Sequence, residues 1–331
     1  MVRFRIVTLV IFFALLLLAV ASTLIYLELS KTVGRDFVFD ISQGSNLITI
    51  SDRLSEQDSL PSHEAIFKAV GLLTRDRGQI LAGQYQVTAD MTVFELLRLF
   101  RSGKVIQYRL TFPEGWTVSE WRNALGKAPY LTHTTARLND IQLAQLLGLA
   151  GPLEGWLFPD TYQYAKGDTD LQVLSRAYEQ MKSILTAEWQ VRAGTDHLKT
   201  QADALILASI IEKETGFAAD RVKIASVFHN RLKLAMKLQS DPTVIFGLGA
   251  DFNGDLKRSH LKTDTAYNTY TRPGLPPGAI CSPGRASIQA ALAGSNHQYL
   301  YFVAMGDGRS YFSLSLAEHN RAVDQYQRKA Q

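Results

Sequence analysis

The sequence predicts an α+β protein: a single N-terminal transmembrane helix, a small α+β module, then a larger mixed α/β domain with its key glutamate on a buried helix. Three observations carry this reading. An uncharged run fills residues 6–27, short alternating stretches interleave with amphipathic helical ones from residue 37, and a mostly apolar helix over 201–216 ends in two carboxylates. The 331 residues, with 35 Lys+Arg against 31 Asp+Glu and a net charge of +4, are enough for about two domains. An apolar share of 46% with 20% charged residues excludes wholesale disorder. The basic excess is small and scattered, so nucleic acid is not an expected partner. Cys281 is the single cysteine, which excludes an intramolecular disulfide and a cysteine-rich metal site.

The first element is the anchor. Arg3 and Arg5 precede the 22-residue run 6–27, and a bilayer core takes about 20 helical residues. A second reading makes 6–18 the core of a signal peptide, with Ala19-Val20-Ala21 as its cleavage site. Apolarity continues past that site through Leu24, Ile25 and Leu27, which favours a retained anchor. Basic residues before the span, with only Glu28 and Lys31 just after it, put the N-terminus in the cytoplasm. The expected order is a 1–5 cytoplasmic tail, a 6–27 anchor and a 28–36 linker, with everything beyond extracytoplasmic.

Phe37-Val38-Phe39-Asp40-Ile41 alternates like a strand. Gly44-Ser45-Asn46 turns into an amphipathic helix, 63–73 reads as a second helix, and 83–87 as a strand. Thr92 with Glu95 three residues on marks the start of another helix, which completes a small α+β module over 37–103. A similar phrase follows, with a strand at 108–112, a Pro113-Glu114-Gly115 turn and a helix opening at Thr117. From about residue 150 the loops carry Trp156, Phe158, Pro159 and Tyr162, and helical segments follow at 171–192, 201–216 and 220–234.

Several catalytic signatures are absent: His-Glu-x-x-His, Gly-x-Ser-x-Gly and the P-loop. The seven histidines show no metal-ligand spacing, so no metal is expected. Ser259-His260-Leu261-Lys262 matches Ser-x-x-Lys, but in a polar stretch rather than at a helix start. The informative helix begins with a capping pair, Thr200 and Asp203, and Gly216 is a natural stop. Glu212 and Glu214 occupy its last turn, at the negative end of the macrodipole, where a carboxylate is disfavoured. That setting raises a carboxyl pKa towards what a general acid needs. At about 100° per residue, Glu214 lies roughly 50° from the mean apolar direction and Glu212 roughly 110°. Glu214 is therefore the better acid, and Glu212 a rim, auxiliary or structural group. The plain alternative is that both solvate a fraying helix end beside Lys213. Downstream, Asn230 and Arg231, then Gln239 and Asp241, then Tyr267, Asn268 and Tyr270 interleave aromatic faces with amides and hydroxyls. That mixture suits a sugar ring.

These residues resemble the YceG-like family of endolytic murein transglycosylases. The match runs through Ala208–Thr215, Ala225–Leu232, Leu238–Val244, Tyr267–Tyr270 and Gly274–Gly278, five ordered blocks over about 70 residues. Cys281 and Ser282 depart from the family's usual residues. The resemblance implies a LysM-like subdomain (37–108), a connecting α+β segment (109–150) and a catalytic domain (151–331), with Glu214 as the catalytic residue. It implies cleavage of the MurNAc–GlcNAc β-1,4 bond without water, a 1,6-anhydro end and termination of nascent strands, with no cofactor. The implied partners are peptidoglycan glycan strands, the cytoplasmic membrane and peptidoglycan synthases of the penicillin-binding class. Two alternatives stay open, a muramidase-type hydrolase and a catalytically silent, anchored glycan-binding scaffold.

Overall fold

A computed structural model describes residues 2–75 and 79–328. Met1 of the expected tail and residues 329–331 of the expected catalytic domain lie outside the described residues. The chain divides into two compact units. The first comprises residues 1–108 with 164–167, and the second 109–163 with 168–331.

The first unit opens with helix α1 (Val2–Leu29). Its segment Arg5–Leu29 is 25 residues long with a mean hydropathy of 2.7 and no buried share, long and apolar enough to cross a membrane. A signal sequence has the same signature. Next come β1 (Phe37–Ile41), α2 (Leu47–Glu56), α3 (Glu64–Leu73), β2 (Gly83–Val87) and α4 (Val93–Ser102). β1 and β2 pair antiparallel, with Phe39 opposite Tyr85. The period-2 pattern turns Phe39, Ile41, Tyr85 and Val87 onto Ile50, Leu54, Phe67, Leu96 and Phe100, a closed apolar core. The Phe39 and Phe100 rings stack at 5.5 Å. Local signals set the helix starts: the Asn46 side chain accepts from the Thr49 N–H at 2.9 Å, and Glu95 accepts from the Thr92 N–H at 2.8 Å.

β3 (Gln107–Thr111) pairs with β4 (Thr161–Ala165), so Tyr162 is a strand residue rather than a loop residue. Between them lie α5 (Val118–Gly126), capped by Thr117 and Glu120, and α6 (Asp140–Leu146). The rest of the second unit contains α7 (Asp170–Gln190), α8 (Gln201–Glu214), α9 (Ala218–Lys233), α10 (Asp241–Leu248), α11 (Arg258–Lys262) and α12 (Arg285–Leu292). It closes with β5 (Tyr301–Ala304), β6 (Ser310–Ser313) and α13 (Leu316–Val323). α8 is the centre: residues 204–211 are all buried, and it packs against α7, α9, α10 and α12. A helix apolar on every side belongs inside a core.

Two local expectations need correction. α8 stops at Glu214 because Thr215 is extended (φ −152°, ψ 133°), and the Thr215 hydroxyl accepts from the Phe217 N–H at 2.9 Å. The break therefore comes before Gly216. Ser259, expected away from a helix start, is the second residue of the short helix α11, where it is exposed.

Candidate active site

The break at Thr215 leaves Glu214 as the last helical residue, half-buried at the wall of a cleft of about 480 Å³. α9 contributes Arg231, the turn before α10 contributes Gln239, the first residue of α10 is Asp241, and the loop after α11 contributes Tyr270. Tyr301 from β5 and His319 from α13 close the far side. Burial pushes the Glu214 carboxyl up to about 7; the Ser240 hydroxyl works against this, the Asp241 charge adds to it, and Arg231 opposes it. The Ser240 Oγ donates to Glu214 Oε1 at 2.5 Å. A carboxyl of this kind is both protonated and ionised in quantity near neutral pH, so it can give and take a proton.

The remaining cleft groups are held by the backbone or by each other. Arg231 donates from Nε to the Leu300 carbonyl and from Nη1 to the Leu238 carbonyl, both at 2.7 Å, and lies 5.2 Å from the Tyr301 ring centroid. Its charge is thus fixed beside the acid. The Tyr270 hydroxyl donates to Asp241 Oδ1 at 2.5 Å, and burial, with Asp241 and Glu214 nearby, holds the phenol well above its ordinary pKa.

Four of the expected site residues lie elsewhere. Glu212 does not line the cleft: its Oε2 accepts from the Gly284 N–H at 2.9 Å, at the start of α12. A Cβ at Gly284 would stand 1.8 Å from Glu114 Oε1, so this glycine is what lets the 114 turn close on the helix. Burial, then the charge of Glu212, raises the Glu114 carboxyl. Asn230 clamps the chain before β5, donating to the His297 and Tyr299 carbonyls at 2.7 and 2.9 Å. Asn268 has no exposed surface; its amide donates to the carbonyls of His260, Leu261 and Thr263, and its oxygen accepts from the Tyr270 N–H. It organises the loop that presents Tyr270. Tyr267 packs against Phe246 at 4.8 Å and lines a separate cavity of about 510 Å³ with Glu154, Leu149 and Pro152.

Sequence reasoning missed Ser240, Tyr301 and His319. Ser240 carried a signal, since a serine directly before Asp-Pro reads as the N-cap of a helix. Its hydroxyl makes no capping bond, forgoing roughly 1 kcal/mol, and goes to Glu214 instead. Tyr301 and His319 follow Glu214 by more than 80 residues, and nothing local marks them. Among the described residues, no group of three or more His, Cys, Asp or Glu is arranged to hold a metal ion.

Three comparisons give this geometry its setting. The chain is 30% identical over 305 residues to a protein from Bacillus subtilis (strain 168) named endolytic murein transglycosylase, an alignment covering 87% of this chain and 84% of that one. It is 25% identical over 320 residues to a Streptococcus pneumoniae (strain D39) protein of the same name, covering 86% of this chain and 57% of that longer one. The crystal structure of the yceG-like protein lmo1499 from Listeria monocytogenes superposes with a TM-score of 0.56 at 30% identity, covering 87% of this chain and 99% of that one. The model of the YceG-like family matches residues 39–325, and the chain belongs to that family.

Proposed function

We propose that this protein is an endolytic murein lytic transglycosylase with Glu214 as its single acid and base. The observation that carries the reading is one carboxyl, held near pKa 7, at the wall of a polar and aromatic cleft. Two relatives named for this activity align along most of the chain.

In the proposed reaction Glu214 gives its proton to the glycosidic oxygen between MurNAc C1 and GlcNAc C4. The C1–O bond breaks through an oxocarbenium-like state, and GlcNAc leaves with a free 4-hydroxyl. The Glu214 carboxylate then takes the proton of the C6 hydroxyl of the same MurNAc, and O6 bonds to C1. Glu214 is protonated again, a 1,6-anhydro end has formed, and no water is consumed. The internal hydroxyl needs no second carboxylate because its effective concentration is high. Asp241 and Gln239 are the proposed hydrogen-bonding groups for the sugar, and Tyr270 and Tyr301 its aromatic wall.

In the same reading α1 is an anchor with its N-terminus inside, which sets the catalytic unit outside the cytoplasmic membrane. The 37–108 module acts as a LysM-like guide for the glycan strand, and synthases extending that strand are the partners whose product the cleavage terminates. A muramidase-type hydrolase is the second reading, favoured by one observation, the Asp241 carboxylate in the same cleft. Mass spectrometry of glycan fragments released in ¹⁸O-water separates the two. Transglycosylation gives anhydro ends without ¹⁸O, whereas ¹⁸O at a new reducing end establishes hydrolysis.

A further inference from the structure

Ser240 stands at the N-cap of α10, yet its hydroxyl leaves the helix uncapped. Pro242, the second helical residue, has no N–H to offer. Thr243, the third, gives its N–H and its hydroxyl to the Ser240 carbonyl, at 3.2 and 2.7 Å. The Ser240 hydroxyl is thereby free to donate to Glu214 Oε1 at 2.5 Å. The residue is 1% exposed, so water does not compete for that bond. Its placement is fixed from both sides. The Ser240 N–H donates to Thr269 Oγ1 at 3.0 Å, which is in turn 2.9 Å from Thr243 Oγ1. Gln239, immediately before it, has φ +52°, a left-handed conformation that a side-chain-bearing residue holds only under surrounding constraint.

A carboxylic acid carries its proton on one oxygen. With Oε1 accepting from Ser240, the proton sits on Oε2. We propose that Ser240 is the positioning residue of the acid: it pins Glu214 through Oε1 and so makes Oε2 the oxygen that gives the proton to the glycosidic bond and takes it from the C6 hydroxyl. This rests on the reading of Glu214 as the acid and adds to it which oxygen reacts. The serine proton stays on Oγ throughout, so the transfer balances without it.

The bond has a second consequence. A hydroxyl donates more strongly to a carboxylate than to a carboxylic acid, so Ser240 favours the ionised state that the second half of the reaction requires. The other charged or titratable groups lining the cleft with Glu214 are Asp241 at the start of α10, Arg231 on α9, Tyr270 in the loop, Tyr301 on β5 and His319 on α13. Ser240 is the neutral one among these influences, and removing it changes no charge.

The test compares wild type, S240A and E214Q as full-length proteins, measuring turnover of glycan strands to anhydro ends from pH 5 to pH 9. S240A is expected to lose roughly tenfold or more in kcat at pH 6, with KM and melting temperature little changed. The alkaline limb of its profile should move up by about one unit. S240C, near-isosteric and a weak donor, should fall between the two, and it carries the test if S240A does not fold. A limb that stays in place, whether the rate is unchanged or uniformly lower, overturns the positioning role. An active E214Q overturns the acid itself, a different result from either.

Discussion

Two cavities in the second unit each hold a carboxyl that burial drives up to about 7, Glu214 in one and Glu154 in the other. Their partners differ. Glu154 is engaged by backbone: both of its oxygens accept from the Val118 N–H, at 3.2 and 3.1 Å, at the first residue of α5. It ties the 154 turn to a helix start, where negative charge is welcome. Glu214 accepts from the Ser240 side chain through Oε1, and among the described residues no hydrogen bond occupies Oε2, at the wall of the cleft. The walls differ too. Leu149, Pro152, Leu153 and Ile141 line much of the Glu154 cavity, whereas Gln239, Asp241, Arg231 and Tyr270 border Glu214. A raised pKa therefore marks burial, and only the free oxygen and the polar wall mark a place for a substrate.

This contrast can be broken or sharpened by substitution. E214Q keeps shape and hydrogen bonding but loses the proton, so turnover should fall about 100-fold or more with the melting temperature unchanged. N268A should act on stability rather than chemistry. Three partly buried carbonyls lose a donor, at a cost of about 2 kcal/mol readable by denaturant unfolding, and activity should fall less than in E214Q. Y270F removes the donor to Asp241 and should cost roughly tenfold in turnover with a minor stability change.

E154Q should leave turnover within about threefold and alter the pH dependence of stability. With its carboxyl raised to about 7 from the ordinary 4.5, the folded state holds the proton more tightly than the unfolded one. Wild-type stability thus falls as pH rises through that window. The melting temperature of E154Q should decline less than wild type between pH 5 and pH 8. A parallel decline in both would mean that Glu154 titrates normally. E212Q is expected to have the smallest effect on chemistry, because its amide oxygen can still accept from the Gly284 N–H.

The elements legible in the sequence were those with local signals. β1 follows from a strand-like alternation, α4 from the Thr92–Glu95 pair, and α8 from an apolar run with a capping pair at its head. The two glutamates at the end of α8 were visible as a pair, and the helical angle between them separates the side that meets the cleft from the side that meets Gly284. The 265–280 loop shows where such reading stops. Its aromatic, amide and hydroxyl content suits a sugar, but the carbonyls left open at a helix end must be satisfied first, and Asn268 is spent on three at the end of α11. β6, α12 and α13 went unread because segments of 4 to 8 residues hold too few periods to read; β6 and α13 are held by the neighbouring β5, and α12 by the distant α8. The Ser240 bond was illegible for a related reason: a capping serine and a serine turned to a distant carboxylate have the same local sequence.

The most direct measurement asks which of the two carboxyls with pKa near 7 supplies the proton. The kcat–pH profile for anhydro-end formation should be recorded for wild type, E154Q and E214Q on the same glycan strands. With Glu214 as the acid, E154Q should keep the loss of activity on the alkaline side of pH 7, while E214Q should be about 100-fold or more slower than wild type. An alkaline limb that disappears in E154Q, or an E214Q protein that still forms anhydro ends at the wild-type rate, would contradict that role.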